Sequence, residues 1–157
     1  MSSQTKRTAD LTSLELADYA DEHLLHEVQM FVGARNALPS VQGQFMKNAM
    51  IEVCVLHLRN LVDFFYPRGQ SHADDVLASH YCTRNLLAIT PMLEEARKRA
   101  HKELAHLTLD RQAGTPPSKQ WDFAALSNDL RLVVKDFITC ADPQKLRCRC
   151  KDQLREI

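Results

Sequence analysis

With four glycines and six prolines in 157 residues, the chain has little of what a protein built from strands and tight turns requires. The few it has fall in short clusters, and no segment between them alternates apolar and polar residues over a sustained stretch. A sheet protein is therefore excluded as an expectation. No apolar run approaches the roughly 20 residues that cross a bilayer. The opening MSSQTKRTAD is polar and lacks the hydrophobic centre of a secretion signal, so the reading is a soluble, cytoplasmic protein with no membrane partner. Net charge is absent as well: 20 basic residues balance 20 acidic ones, so any affinity for nucleic acid has to come from a local patch. There is no glycine-rich phosphate loop, no G-x-S-x-G elbow and no dinucleotide fingerprint. Cysteines number five, an odd count in a chain long enough to do without disulfide staples, and reduced thiols are expected. Cys148 and Cys150 form a C-x-C pair that falls short of a metal site without a second pair, and no cofactor is implied.

What the sequence does have is apolar residues at three- and four-residue spacing, 45% of the whole, enough for one continuous core. The expected fold is all-α: a bundle of four long helices plus two short ones, with residues 1–11 as a flexible N-terminus and 12–157 as one domain. Thr12-Ser13-Leu14-Glu15 is a capping box opening a helix that runs to the Asn36–Pro39 stop. Its stripe is Leu14, Ala17, Leu24, Leu25, Val28 and Phe31. A second long helix follows Gly43, with Met46, Met50, Val53, His57, Asn60 and Phe64 on one face, and ends at Pro67-Arg68-Gly69. Ser71 and Asp74 mark a short third helix over 73–79. Thr90-Pro91, with Glu94 and Glu95 behind it, starts the fourth, whose inward stripe is Leu93, Ala96, Ala100, Leu104 and Leu107. Residues 113–118 read as a loop. Residues 121–141 form another amphipathic helix on Phe123, Leu130, Val133, Val134, Phe137 and Ile138, and a short charged helix follows Asp142-Pro143.

The chemistry-bearing residues gather on the fourth helix. Arg99, Lys102, Glu103, His106 and Asp110 share one face beside the apolar stripe. Arg99 and His106 are two turns apart, roughly 10 Å along the axis, a spacing suited to holding either side of a phosphodiester. Histidine moves protons near neutral pH, and arginine neutralises phosphate oxygens bidentately. The same row also reads as a solvated face with an Arg99–Glu103 ion pair. On the second helix Asn60 lies among apolar neighbours, so its amide should be buried and bonded to the fourth helix or the loop after it, with Arg59 and Asp63 as an i, i+4 pair. Glu103 and His106 have the E-x-x-H spacing of di-iron bundles but no second copy. Asp18, Glu22, His23 and His26 have ligand-like spacing on an ordinary acidic helix face, and no metal site is expected.

The stretches HLRNLVDFFY, ADDVLASHY and HKELAHLTLDR together resemble an uncharacterised bacterial protein group carrying R-N-L-x-D-F, D-D-V-x-A and K-x-x-A-H-L-T motifs. More broadly, they resemble the HEPN superfamily (higher eukaryotes and prokaryotes nucleotide-binding domain), whose signature is an arginine followed a few residues later by histidine. The resemblance covers about Glu52 to Arg111, with Arg99 and His106 as the signature pair and Ala100 where the family usually has a polar residue. It implies a two-fold homodimer and metal-independent RNA cleavage or RNA binding in a bacterial toxin or defence system, with an antitoxin or defence partner. Arg99 and His106 would be catalytic, with His106 as general base or acid. Lys102, His101, Arg59, Asn60 and Arg111 would hold substrate. The competing reading is a non-catalytic helical dimerisation module in which Arg59, Asn60 and His106 form a structural polar network.

Overall fold

The computed structural model describes residues 7–69, 72–103 and 120–157, and over these the protein is all-α, with no strand. Thr12 caps the first helix reciprocally: its hydroxyl accepts from the Glu15 amide (3.2 Å) and the Glu15 carboxylate accepts from the Thr12 amide (2.8 Å). From there α1 (Ser13–Tyr19), a π-helical turn (Ala20–Leu24) and α2 (Leu25–Ala37) continue as one rod. Gly43, at φ 80°, supplies the left-handed residue from which α3 (Gln44–Phe65) starts. The α4 helix (Pro91–Glu103) begins as its sequence predicts, Thr90 accepting from the Leu93 amide at 3.2 Å with proline first in the helix. Asp122 caps α5 (Phe123–Cys140) through the Ala125 amide at 2.9 Å, and α6 (Cys148–Leu154) follows. No helix among the described residues is long and apolar enough to cross a membrane.

Four features depart from the sequence reading. The expected helix over 73–79 is instead a turn, closed by the His72 amide on Asp75 (2.7 Å), and then a single 3-10 turn, Ala78–His80. One carboxylate caps too little chain to propagate a helix against the cost of nucleating it. Within the expected flexible stretch 1–11, of which residues 7–11 are described, Thr8 is buried, its amide bonds Ala73 O (2.8 Å) and its hydroxyl bonds Asp75 O (2.9 Å). The buried face of α3 is Cys54, Val55, His57, Leu58, Leu61, Val62, Phe64 and Phe65, leaving Met46 exposed and Asn60 half-buried. This helix is apolar over more than half its circumference, so periodicity alone does not fix which arc faces inward. Last, Cys82 and Cys140 are joined in a disulfide, contrary to the expected reduced set, with Cys54, Cys148 and Cys150 free. An odd count requires one unpaired thiol and does not forbid a pair. Burial raises the Cys54 and Cys150 thiols to about 12 and leaves them poor metal ligands, Cys150 being turned inward while Cys148 is exposed.

The α2 helix lies along α3, and α4 and α5 pack beside them. The centre holds Phe31, Leu58, Leu61, Leu93, Leu130 and Phe137, all at most 2% exposed. Ile157 is also buried, its carbonyl accepting from Arg35 (2.9 Å) and Arg131 (3.0 Å).

Candidate functional site

A cleft of about 640 Å³ opens between the rod formed by α1 and α2, the C-terminal half of α3, the segment after it and one residue of α4. That volume is within the range of roughly 300–1,000 Å³ usual for ligand sites. Tyr19, His23 and Glu27 form one wall, Arg59, Asn60 and Asp63 the floor, Arg68, His72, Asp74 and Asp75 the rim, and His101 the far side.

The floor and wall are fixed by a polar network. Glu27 Oε2 accepts from His57 Nδ1 at 2.7 Å and from the Asn60 amide at 3.0 Å. Among the described residues Asn60 thus bonds to α2, whereas its sequence position suggests the fourth helix or the loop after it, most of which lies outside the described residues. The reason is packing: α2 runs along the α3 arc that carries His57 and Asn60. Replacing Asn60 by Leu keeps the branched heavy-atom pattern but strips one donor from a half-buried carboxylate. It is expected to cost about 1–2 kcal/mol, more than a surface change, as read from urea unfolding. An unchanged midpoint would show that the bond contributes nothing.

On the other side of the floor, Asp63 lies 3.5 Å from Arg59 and 3.7 Å from Arg97. Arg97, only 8% exposed, also donates to Tyr66 O and to Glu94, joining α4 to the end of α3. Its guanidinium holds Glu94 below the usual carboxylate range against the opposing effect of desolvation. Tyr19 packs against His23 with ring centroids 4.6 Å apart and the planes tilted by 50°. Burial first, then the carboxylates of Glu27 and Asp75, raise its phenol, which stays protonated.

Of the residues singled out from sequence, Arg59, Asn60 and His101 are brought together in this cleft. Arg99 is elsewhere. It is two positions from both Arg97 and His101, hence roughly 200° around the helix from each. It grips Glu103 through two bonds (3.0 and 3.3 Å), donates to Gln120 O (3.3 Å) and lies 4.1 Å over the Trp121 ring, facing the start of α5. Lys102 is exposed on the last described turn. His106, Asp110 and Arg111, with Leu104 and Leu107 of the expected inward stripe and the 113–118 loop, lie outside the described residues.

Glu27 and Arg97 were not singled out in the sequence. The sequence signal for Arg97 is a charge set within the apolar stripe of Leu93, Ala96 and Ala100. Of the ligand-like set on the first helix, Asp18 binds Arg147 (2.5 Å) together with Asp21 (2.6 Å), His23 packs against Tyr19 and His26 against His57. Among the described residues no group of three or more His, Cys, Asp or Glu side chains is arranged to hold a metal. Compared with protein-family models, with curated protein sequences and with solved structures, the chain matches none.

Proposed function

We propose that this is a HEPN-like, cytoplasmic helical protein that binds RNA in the cleft, as part of a bacterial toxin or defence system. In this reading the α1–α2 rod, α3, α4 and α5 serve as the long helices of a four-helix bundle, assembled as a homodimer. One observation carries the reading. The sequence blocks that hold Arg59 and Asn60, then Asp74 and Asp75, then His101 are separated along the chain yet line one open cleft. A network that served only to fix helix register would need no opening of this size. Among the described lining residues Arg59, which also pairs with Asp63, and Arg68 suit phosphate, and Asn60 and the rim carboxylates suit the donor and acceptor edges of unstacked bases. For cleavage, His106 takes the proton of a ribose 2′-hydroxyl as its oxygen attacks the adjacent phosphorus. The 5′-oxygen leaves as a hydroxyl with a proton taken from water, and the end left behind is a 2′,3′-cyclic phosphate, with no metal required.

The bonds of Arg99 to Glu103 and its stacking on Trp121 favour the second reading, a non-catalytic interaction module, because a charge so occupied is poorly placed to meet a phosphate. The experiment incubates wild type and His106→Ala with mixed RNA in EDTA and examines the ends formed. Cyclic-phosphate ends from wild type alone, with RNA binding that weakens as salt rises, are the expected result. Equal background from both proteins with no salt-sensitive binding leaves the module reading.

A further inference from the structure

Among the cleft carboxylates Glu27 is held in an unusual way. Asp63 faces two guanidiniums and Asp75 closes a turn on the His72 amide. Glu27 receives both of its hydrogen bonds on Oε2, from His57 and Asn60, while Oε1 takes part in neither. Its side chain is 26% exposed and belongs to the cleft wall, whereas His57 behind it is 9% exposed and braced by the ring of His26, centroids 5.6 Å apart. Two donors on one oxygen fix the plane of the carboxylate before any ligand arrives. The second oxygen is left as an oriented acceptor whose ordering cost is already met. Arg59, 3.5 Å from Asp63, lines the same cleft, so a ligand that meets Glu27 there also has a guanidinium within the site.

A ligand matching this pair carries a hydrogen-bond donor next to a phosphate. In a nucleic acid strand the ribose 2′-hydroxyl next to the 3′-phosphate has that arrangement, and deoxyribose lacks the donor. We infer that Glu27 Oε1 accepts a hydrogen bond from a ribose 2′-hydroxyl, making Glu27 a specificity-determining residue that distinguishes RNA from DNA. The inference rests on the proposed RNA binding and goes beyond it by assigning the discrimination to one atom. His57 and Asn60 act through Glu27 as positioning residues.

The test measures fluorescence-anisotropy affinities for a labelled single-stranded RNA, the DNA of the same sequence, and the RNA fully 2′-O-methylated, which keeps the ribose and removes the donor. Wild type is expected to bind the RNA about ten- to a hundredfold more tightly than either analogue, the range of one hydrogen bond to a charged group. Glu27→Gln removes the charge at nearly constant shape and is expected to bring that ratio close to one, mainly by weakening RNA. A purely structural role for Glu27 would lower all three affinities together and leave the ratio intact. If wild type shows no preference for RNA, or if the preference survives in Glu27→Gln, the assignment is overturned and RNA binding stands. If wild type binds none of the three, both are overturned. Should Glu27→Gln not fold, the wild-type comparison of RNA with its methylated form decides by itself, equal affinities overturning the assignment.

Discussion

Phe137→Ala is expected to destabilise the protein by about 3–5 kcal/mol, a large part of the 5–15 kcal/mol that holds a typical domain together. Phe137 is 0% exposed and sits among Phe64, Phe65 and Tyr81, with ring centroids 5.6, 5.4 and 5.8 Å away in edge-to-face and near edge-to-face contacts. Each such pair adds a directional contribution to the apolar area it buries. The cluster also joins distant parts of the chain: Phe64 and Phe65 end α3, Phe137 is near the end of α5, and Tyr81 closes the segment that rims the cleft. The Tyr81 hydroxyl donates to Leu16 O at 2.9 Å, extending the tie to α1. Removing the central ring leaves a cavity that four elements have to collapse around, and a rigid interior collapses only in part. Urea unfolding monitored by circular dichroism measures the loss. A difference below about 1 kcal/mol would mean that the cluster repacks freely and does not hold the rim segment in place.

What the sequence makes legible follows from the range of the interactions involved. The capping box at Thr12, the Thr90-Pro91 start and the helical period are set by residues within a few positions of one another, and each stands in the structure as its local chemistry dictates. Arg59, Asn60 and His101 come from separate stretches of the chain and line one cleft. Longer-range facts were not readable. Glu27 looks like one more acid on an acidic helix until α2 lies beside α3 and presents it to His57, 30 residues away. Arg97 and Arg99 differ in sequence only by flanking residues. The helix turns one inward to Tyr66 and Asp63 and the other outward to Trp121, a distinction that depends on where the neighbouring elements sit. Asn60 was readable as a residue in need of a partner, but which helix supplies that partner is a property of packing.

Reducing the Cys82–Cys140 disulfide is expected to cost about 4 kcal/mol of stability, seen as a fall of roughly 10 °C in melting temperature. The bridge spans 58 residues, and cross-linking a loop of that length acts mainly by restricting the unfolded chain. The native ends are already joined without it. The Asp142 amide bonds Tyr81 O and the Lys145 ammonium bonds His80 O, each at 2.9 Å, and Arg84 holds Asp136 at 2.6 Å, keeping that carboxyl below its usual range. Reduction should therefore leave the fold and the cleft in place while shifting the unfolding equilibrium. Melting curves with and without dithiothreitol test this directly. Cys82→Ser is expected to melt near the reduced wild type and to be indifferent to the reductant. Thiol titration of the unreduced, denatured protein should find three reactive cysteines, Cys54, Cys148 and Cys150. Five titratable thiols and superimposed melting curves would show that the pair is not bonded in solution. The proximity of Cys82 and Cys140, with Cα atoms 5.2 Å apart across the single bridge between Cys82 and Ala141, would then be a consequence of backbone pairing alone.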